Sequence, residues 1–232
     1  MDITGKTALV TGANRGFGRH LASQLRDRGA TVYAAARNPA AVDLPGVTPV
    51  ALDVTDPESV AAAAAATRDV AILINNAGSS TGAALLAGDL ADVKLEMDTH
   101  FFGTLAVTRA FAPQLAGHEQ SAVLNVLSVL SWLSMPRIGA YCAAKAAEWS
   151  LTNALRLELA AQGTRVTSLH VGFMDTDMAR RVTAPKADPA DIARIALDAI
   201  EKGETEVVAD ETSQQVLAGL SAGVRGLYPH VV

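Results

Sequence analysis

The sequence predicts an α/β fold, with about seven parallel strands in one doubly wound sheet and helices packed on both of its faces. Two observations carry that prediction. Short apolar runs with the character of buried strands alternate along the chain with helical patterns. The first of these runs leads directly into a glycine-rich turn at the mouth of a helix. The 232 residues lie within the range of a single domain. No repeat, linker or second core is visible, so residues 1–232 read as one unit. With 50% of residues apolar and only 19% charged, the composition is that of a folded globule and not of a disordered chain.

Residues 7–10 form the first predicted strand, followed by a helical pattern over residues 18–28 that stops at Gly29. Residues 31–36 and 49–52 read as the second and third strands. Asp56 and Pro57 then suit the N-cap and first position of a helix. Residues 70–74, 122–127 and 165–171 are further buried-type strands, and 206–209 is a weaker candidate. Residues 90–115 read as a long helical stretch broken into two pieces, residues 141–162 as another, and Asp188-Pro189 starts one more. Residues 177–187 are polar, partly basic and end at that cap, which predicts a surface loop covering a substrate site.

The net charge of −5 and the lack of a basic cluster argue against a nucleic-acid partner. The single cysteine, Cys142, has no partner for an internal disulfide, and no Cys/His group has metal-ligand spacing. Neither a bridge nor a metal is expected, and a reducing cytoplasm suits the chain. The first residues run into a strand without a leader-like segment, and no apolar stretch is long enough to span a bilayer. A soluble protein without a membrane partner follows as the expectation.

The turn after the first strand reads Thr11, Gly12, Ala13, Asn14, Arg15, Gly16, Phe17, Gly18. Glycines at these places allow unusual backbone angles and close approach of a pyrophosphate, whose charge a helix N-terminus stabilises; this is a Rossmann-type dinucleotide site. An ordinary βα turn is the plainer alternative. The second strand ends in Ala36-Arg37, where binders of the unphosphorylated ribose usually place an acidic residue. Arg37, with Arg15, can clasp a 2′-phosphate, so NADP(H) is favoured over NAD(H), unless both arginines are simply solvated surface charges.

Tyr141 and Lys145 stand four residues apart, hence on one helix face. A lysine cation favours the phenolate and is expected to draw the tyrosine below its ordinary pKa of about 10, toward the range useful for acid–base work.

Thr11-Gly12 to Gly18, Asn75-Asn76-Ala77-Gly78, Ser128, and Tyr141 with Lys145 resemble, in that order, the short-chain dehydrogenase/reductase family over nearly the whole chain. The resemblance implies a nicotinamide-dependent oxidoreductase in which Ser128 hydrogen-bonds the substrate oxygen, Tyr141 transfers the proton and Lys145 assists both catalysis and ribose binding. Ser131 and Ser134 compete for the serine role. By the same resemblance Asp53 and Val54 lie against the adenine, and Asn75, Asn76, Ala77 and Gly78 frame the strand end beside the cofactor. Thr176 touches the nicotinamide amide, in a segment with Gly172 where Val171 replaces the family's proline. His100 stands where the family usually has an asparagine that holds a water serving proton relay. Three readings of it remain: a relay through the imidazole, packing alone, or a chain that has lost part of its catalytic machinery.

Trp132, Leu133, Met135, Phe173 and Met174 are candidates for an apolar pocket, or for core and lid packing, so the expected substrate is a hydrophobic ketone or aldehyde or the matching alcohol. Family likeness also implies a homotetramer or homodimer formed through the two long helices. Two other functions remain: a non-catalytic NADP(H) sensor or subunit, and epimerisation or dehydration, which the chain length disfavours.

Overall fold

The computed structural model describes residues 1–230; the last two positions of the 1–232 unit lie outside the described residues. Seven strands, β1 (Thr7–Thr11), β2 (Thr31–Ala36), β3 (Thr48–Ala51), β4 (Val70–Asn75), β5 (Ser121–Val126), β6 (Thr164–His170) and β7 (Glu206–Val208), form one parallel sheet in the order β3-β2-β1-β4-β5-β6-β7. The order reverses between β1 and β4, and the crevice above that switch point is where a doubly wound sheet binds its ligand.

Side-chain alternation along the central strands divides the core in two. Ile72 and Ile74 face helices α1 (Gly16–Asp27) and α6 (Pro189–Lys202), meeting Phe17, Leu21, Leu25, Ile192 and Leu197. Leu73 faces the opposite layer, where Val107, Phe111, Leu151 and Leu155 pack. That layer contains α2 (Pro57–Ala66), α3 (Leu90–Met97), α4 (Thr104–Ala116) and α5 (Gly139–Ala160). Asp56 and Asp188 cap α2 and α6 as read from sequence, accepting from Glu58 N at 3.0 Å and Ala190 N at 2.7 Å.

Three features depart from the expectation. The stretch predicted as two helical pieces is continuous: α3 passes into α4 through a π-helical segment, Asp98–Gly103, instead of a break. Helix α5 begins at Gly139, two residues before the predicted start, and α1 begins at Gly16 rather than residue 18. Beyond β7 lie two short helices that the sequence did not announce, α7 (Glu211–Gly219) and α8 (Gly223–Leu227). No helix among the described residues is long and apolar enough to cross a membrane.

Candidate active site

At the switch point the turns after β1 and β4 are tied together. Thr11 Oγ1 accepts from the backbone N–H groups of Asn76 and Ala77, both at 2.9 Å, while Asn76 Nδ2 donates to Thr11 O at 2.8 Å. Gly12 has φ +66°, and a Cβ there would lie 3.0 Å from Ala77 Cα. A Cβ on Gly18 would run into the Gly12 carbonyl and the Asn76 amide. These glycines bring the backbone of the loop and the start of α1 close to a common space.

The start of α1 suits an anion. Its N-cap, Arg15, makes no side-chain cap bond, and the first turn holds no acidic residue, so the leading N–H groups stay available for a pyrophosphate. Asn14, Arg15 and Gly16 line this mouth, and Thr176 sits beside it, its Cβ 3.7 Å from where a Gly16 Cβ would stand. Arg15 Nη1 lies 3.6 Å from Asp177 Oδ2, both side chains being exposed, and Arg37 is exposed at the end of β2. The Phe17 side chain is buried in the core beneath the loop. Asp53 is half-buried, with Oδ1 accepting from Thr55 N at 3.0 Å and Thr55 Oγ1 at 2.7 Å. Val54 packs over Gly103, where a Cβ would come within 2.9 Å of its Cγ2.

The Asn75-Asn76 pair divides its work by strand alternation. Asn75 turns into the α4–α5 layer, donating to Thr108 Oγ1 at 3.1 Å and Asn125 Oδ1 at 2.8 Å, so it supports the site from within the core. Asn76 holds the glycine loop, its Nδ2 donating to the Thr11 and Gly12 carbonyls.

At the end of β5, Ser128 caps a short 3₁₀ turn, Val129–Ser131. Its Oγ accepts from Leu130 N at 3.1 Å, leaving the hydroxyl proton free to donate. Ser131 is buried, its Oγ accepting from Ser128 N at 3.3 Å, and Ser134 is exposed. Lys145 Nζ donates to Val126 O at 2.8 Å and to Glu148 Oε2 at 2.7 Å, which draws α5 to the end of β5 and leaves a third N–H for a ribose hydroxyl. Lys145 Nζ lies 5.9 Å from the Tyr141 ring centre.

The expected lowering of Tyr141 does not occur. Burial raises its pKa above 10.0, outweighing the opposing pull of Lys145, and the Glu148 carboxylate adds to the rise. For Lys145, burial acts to lower the pKa, but the contact with Glu148 prevails and holds it above its ordinary value.

His100 lies in the π-helical segment, buried, with its ring edge-to-face against Tyr141 at 5.2 Å between centres. Such segments often re-aim a side chain at a functional site. Nε2 lies 3.0 Å from Ser79 O and 3.4 Å from Glu96 Oε2; Nδ1, which has no hydrogen-bond partner among the described residues, stands 3.8 Å from Glu148 Oε2. Gly78 is glycine for a local reason: a Cβ would lie 2.9 Å from His100 Cε1. Burial disfavours the Glu96 carboxylate, yet hydrogen bonds from His100, Thr81 and Ser79 overcome this and bring its pKa to about 2.

The apolar candidates separate. Trp132 is core rather than pocket wall, stacked on buried His170 with 3.8 Å between ring centres. Leu133, Phe173 and Met174 are half-buried and Met135 is exposed. Residues 177–187 open with a 3₁₀ turn, Asp177–Ala179, and Met174 bridges to Ala187 at the far end. Gly172 N donates to Asp210, which also caps α7 by accepting from Ser213 N at 2.7 Å. Tyr228, beyond α8, accepts from Ser134 N at 2.7 Å, so the C-terminal segment reaches back to the loop after Ser128.

A glycine loop at the switch point, with serine, tyrosine and lysine gathered at the carboxyl end of β5, defines the class: an oxidoreductase built on a dinucleotide-binding fold. Residues 6–187 match the family described as short chain dehydrogenase, and the chain belongs to the short-chain dehydrogenase/reductase family. It is similar to a short-chain dehydrogenase of Burkholderia cenocepacia J2315 solved in complex with NADP, with 38% identity and a TM-score of 0.94 over 100% of this chain and 99% of that one. A Burkholderia phymatum member solved with NAD shares 25% identity, with a TM-score of 0.84 over 94% and 92% of the two chains. The 3-oxoacyl-(acyl-carrier-protein) reductase of Vibrio cholerae is 33% identical over 190 residues, 78% of each chain.

Proposed function

We propose that the protein is an NADP(H)-dependent carbonyl reductase that converts a hydrophobic ketone or aldehyde to its alcohol, and also runs the reverse reaction. The observation that carries this reading is the anchoring of Lys145 on Val126 O, which brings Tyr141 and Lys145 to the strand end that presents Ser128. When bound, the nicotinamide supplies the hydride. Ser128 donates a hydrogen bond to the carbonyl oxygen and stabilises the charge that develops there. Tyr141, a protonated phenol at neutral pH, donates its proton to the same oxygen. The remaining N–H of Lys145 holds the ribose, and the N–H groups at the start of α1 receive the pyrophosphate.

Support for NADP(H) over NAD(H) comes from exposed Arg15 and Arg37 near the place of a 2′-phosphate, and from the NADP found in the Burkholderia cenocepacia relative. In this reading residues 177–187 cover the substrate, and Leu133, Met135, Phe173 and Met174 supply apolar contact. The chain acts in the cytoplasm, as a homotetramer or homodimer.

The test follows NADPH consumption against a panel of ketones, aldehydes and quinones, with NADH as comparison and Tyr141→Phe in parallel. Turnover with NADPH that falls at least about 100-fold in the variant is the expected result. Tight NADPH binding without turnover across the panel would replace the enzyme by a sensor.

A further inference from the structure

The charge around Lys145 is balanced beyond what a serine, tyrosine and lysine require. Glu148, one turn further along α5, is buried with Oε2 2.7 Å from Lys145 Nζ, while its Oε1 accepts from Thr104 Oγ1 at 2.9 Å. The carboxylate is thus held from α4 and directed at the ammonium from within α5. Behind it stands His100, with Nδ1 3.8 Å from the same Oε2, and then Glu96, 3.4 Å from His100 Nε2. Around Tyr141 are therefore one cation, Lys145, two carboxylates, Glu148 and Glu96, the edge-on His100 ring and the Ser128 hydroxyl.

We propose that Glu148 is a positioning residue that pins Lys145 and offsets its charge, so that Tyr141 is kept as a protonated phenol over a wider pH range. The inference rests on the reductase reading above and specifies the protonation state in which its tyrosine waits. A lone ammonium 5.9 Å from the phenol ring would favour phenolate. With a carboxylate in contact, the pair presents a dipole whose effect at the phenol is much smaller than that of the bare cation. In reduction the tyrosine O–H bond breaks as its proton joins the oxygen that hydride addition has made anionic, so a protonated phenol is the reactive form. Oxidation needs the phenolate to take the alcohol proton, and Glu148 opposes that form.

Removing either partner of a buried ion pair leaves the other uncompensated, so the test separates charge from folding. Tyrosinate absorbance is titrated in wild type, Glu148→Gln, Glu148→Met and Glu148→Asp, with and without NADPH. Since the chain has three tyrosines, Tyr141 is assigned by difference from Tyr141→Phe. The two neutral variants are expected to lower the Tyr141 midpoint by about one unit or more, and the aspartate, which keeps the charge, to restore most of it. In turnover, the acidic limb of alcohol oxidation moves down with the midpoint. A midpoint unchanged in whichever neutral variant folds, as judged by circular dichroism, overturns the proposal, because a merely structural Glu148 would alter stability without moving the phenol. The titration needs no substrate. A wild type that reduces nothing thus removes the reductase reading through the turnover assay, whereas coincident midpoints remove this inference alone.

Discussion

Two buried residues make the stability of this protein sensitive to acid, and they do so in different pH windows. Glu96 has its pKa brought from 4.5 to about 2, while burial brings His170 from 6.5 to about 4. A carboxylate with a depressed folded pKa contributes stability that is present above the unfolded value and is lost as pH falls through the folded one. For Glu96 that window is from 4.5 down to about 2, with a contribution on the order of 3 kcal/mol at neutral pH. A histidine with a depressed pKa takes up its proton more readily when unfolded, so His170 costs stability progressively as pH drops from 6.5 toward about 4. Urea unfolding across this range should show His170→Asn flattening the slope in the upper window. Glu96→Gln should show its largest loss at neutral pH and a shrinking one below 4.5. Equal losses at all pH values in both variants would refute the assignment. The two residues also mark what single-sequence reading can reach. Tyr141 and Lys145 are legible because helical spacing alone places them on one face. The roles of Glu96 and Glu148 depend on partners distant in sequence, so no local pattern announces them.

Elements were legible where a local rule decides them and obscure where tertiary contacts do. The buried strands β4 and β5 are largely apolar runs, and the Asp-Pro starts of α2 and α6 satisfy capping chemistry on their own. The π-helical segment has no sequence signature of its own: one extra residue per turn is accepted so that His100 faces Tyr141 while Gly103 admits Val54. Helices α7 and α8 are short and interrupted by Gly219, Gly223 and Gly226, so propensity gave no lead. Their placement depends on two tethers, Asp210 to Gly172 and Ser213, and Tyr228 to Ser134. Asp210→Ala removes a cap and leaves the Gly172 N–H without its acceptor, which should cost about 1–2 kcal/mol. Because Gly172 leads toward Thr176 beside the glycine loop, KM for NADPH should rise more than kcat falls. Hydrogen exchange should show faster exchange in residues 211–227 of the variant, and unaltered protection there would show that the tether is not what orders these helices.

At the scale of the molecule, the sheet order places the glycine loop, Asn75, Asn76 and Ser128 at the carboxyl ends of the strands, while the layer of α3, α4 and α5 carries both the buried catalytic supports and an apolar exterior. The inner face of this layer buries Phe111, Leu115, Leu151 and Leu155 against the sheet. Its outer face leaves Leu95, Phe102 and Leu157 in solvent, the last at 79% relative exposure. Apolar side chains exposed on this layer, with alanine elsewhere along the helices to permit close approach, suit a helix-to-helix contact between copies of the chain. Light scattering of the wild type should therefore give the mass of two or four chains. Phe102→Glu combined with Leu157→Glu, which buries two carboxylates in such a contact but leaves the isolated chain's core untouched, should shift the mass toward one chain with little change in circular dichroism. The coupling to activity is also testable. Because α3 and α5 carry Glu96 and Glu148 on their inner sides, loosening their outer contact should lower turnover as well as mass. A wild-type mass of one chain would reject the assembly. A variant that remains multimeric would place the contact on another face, such as the exposed edge at β7.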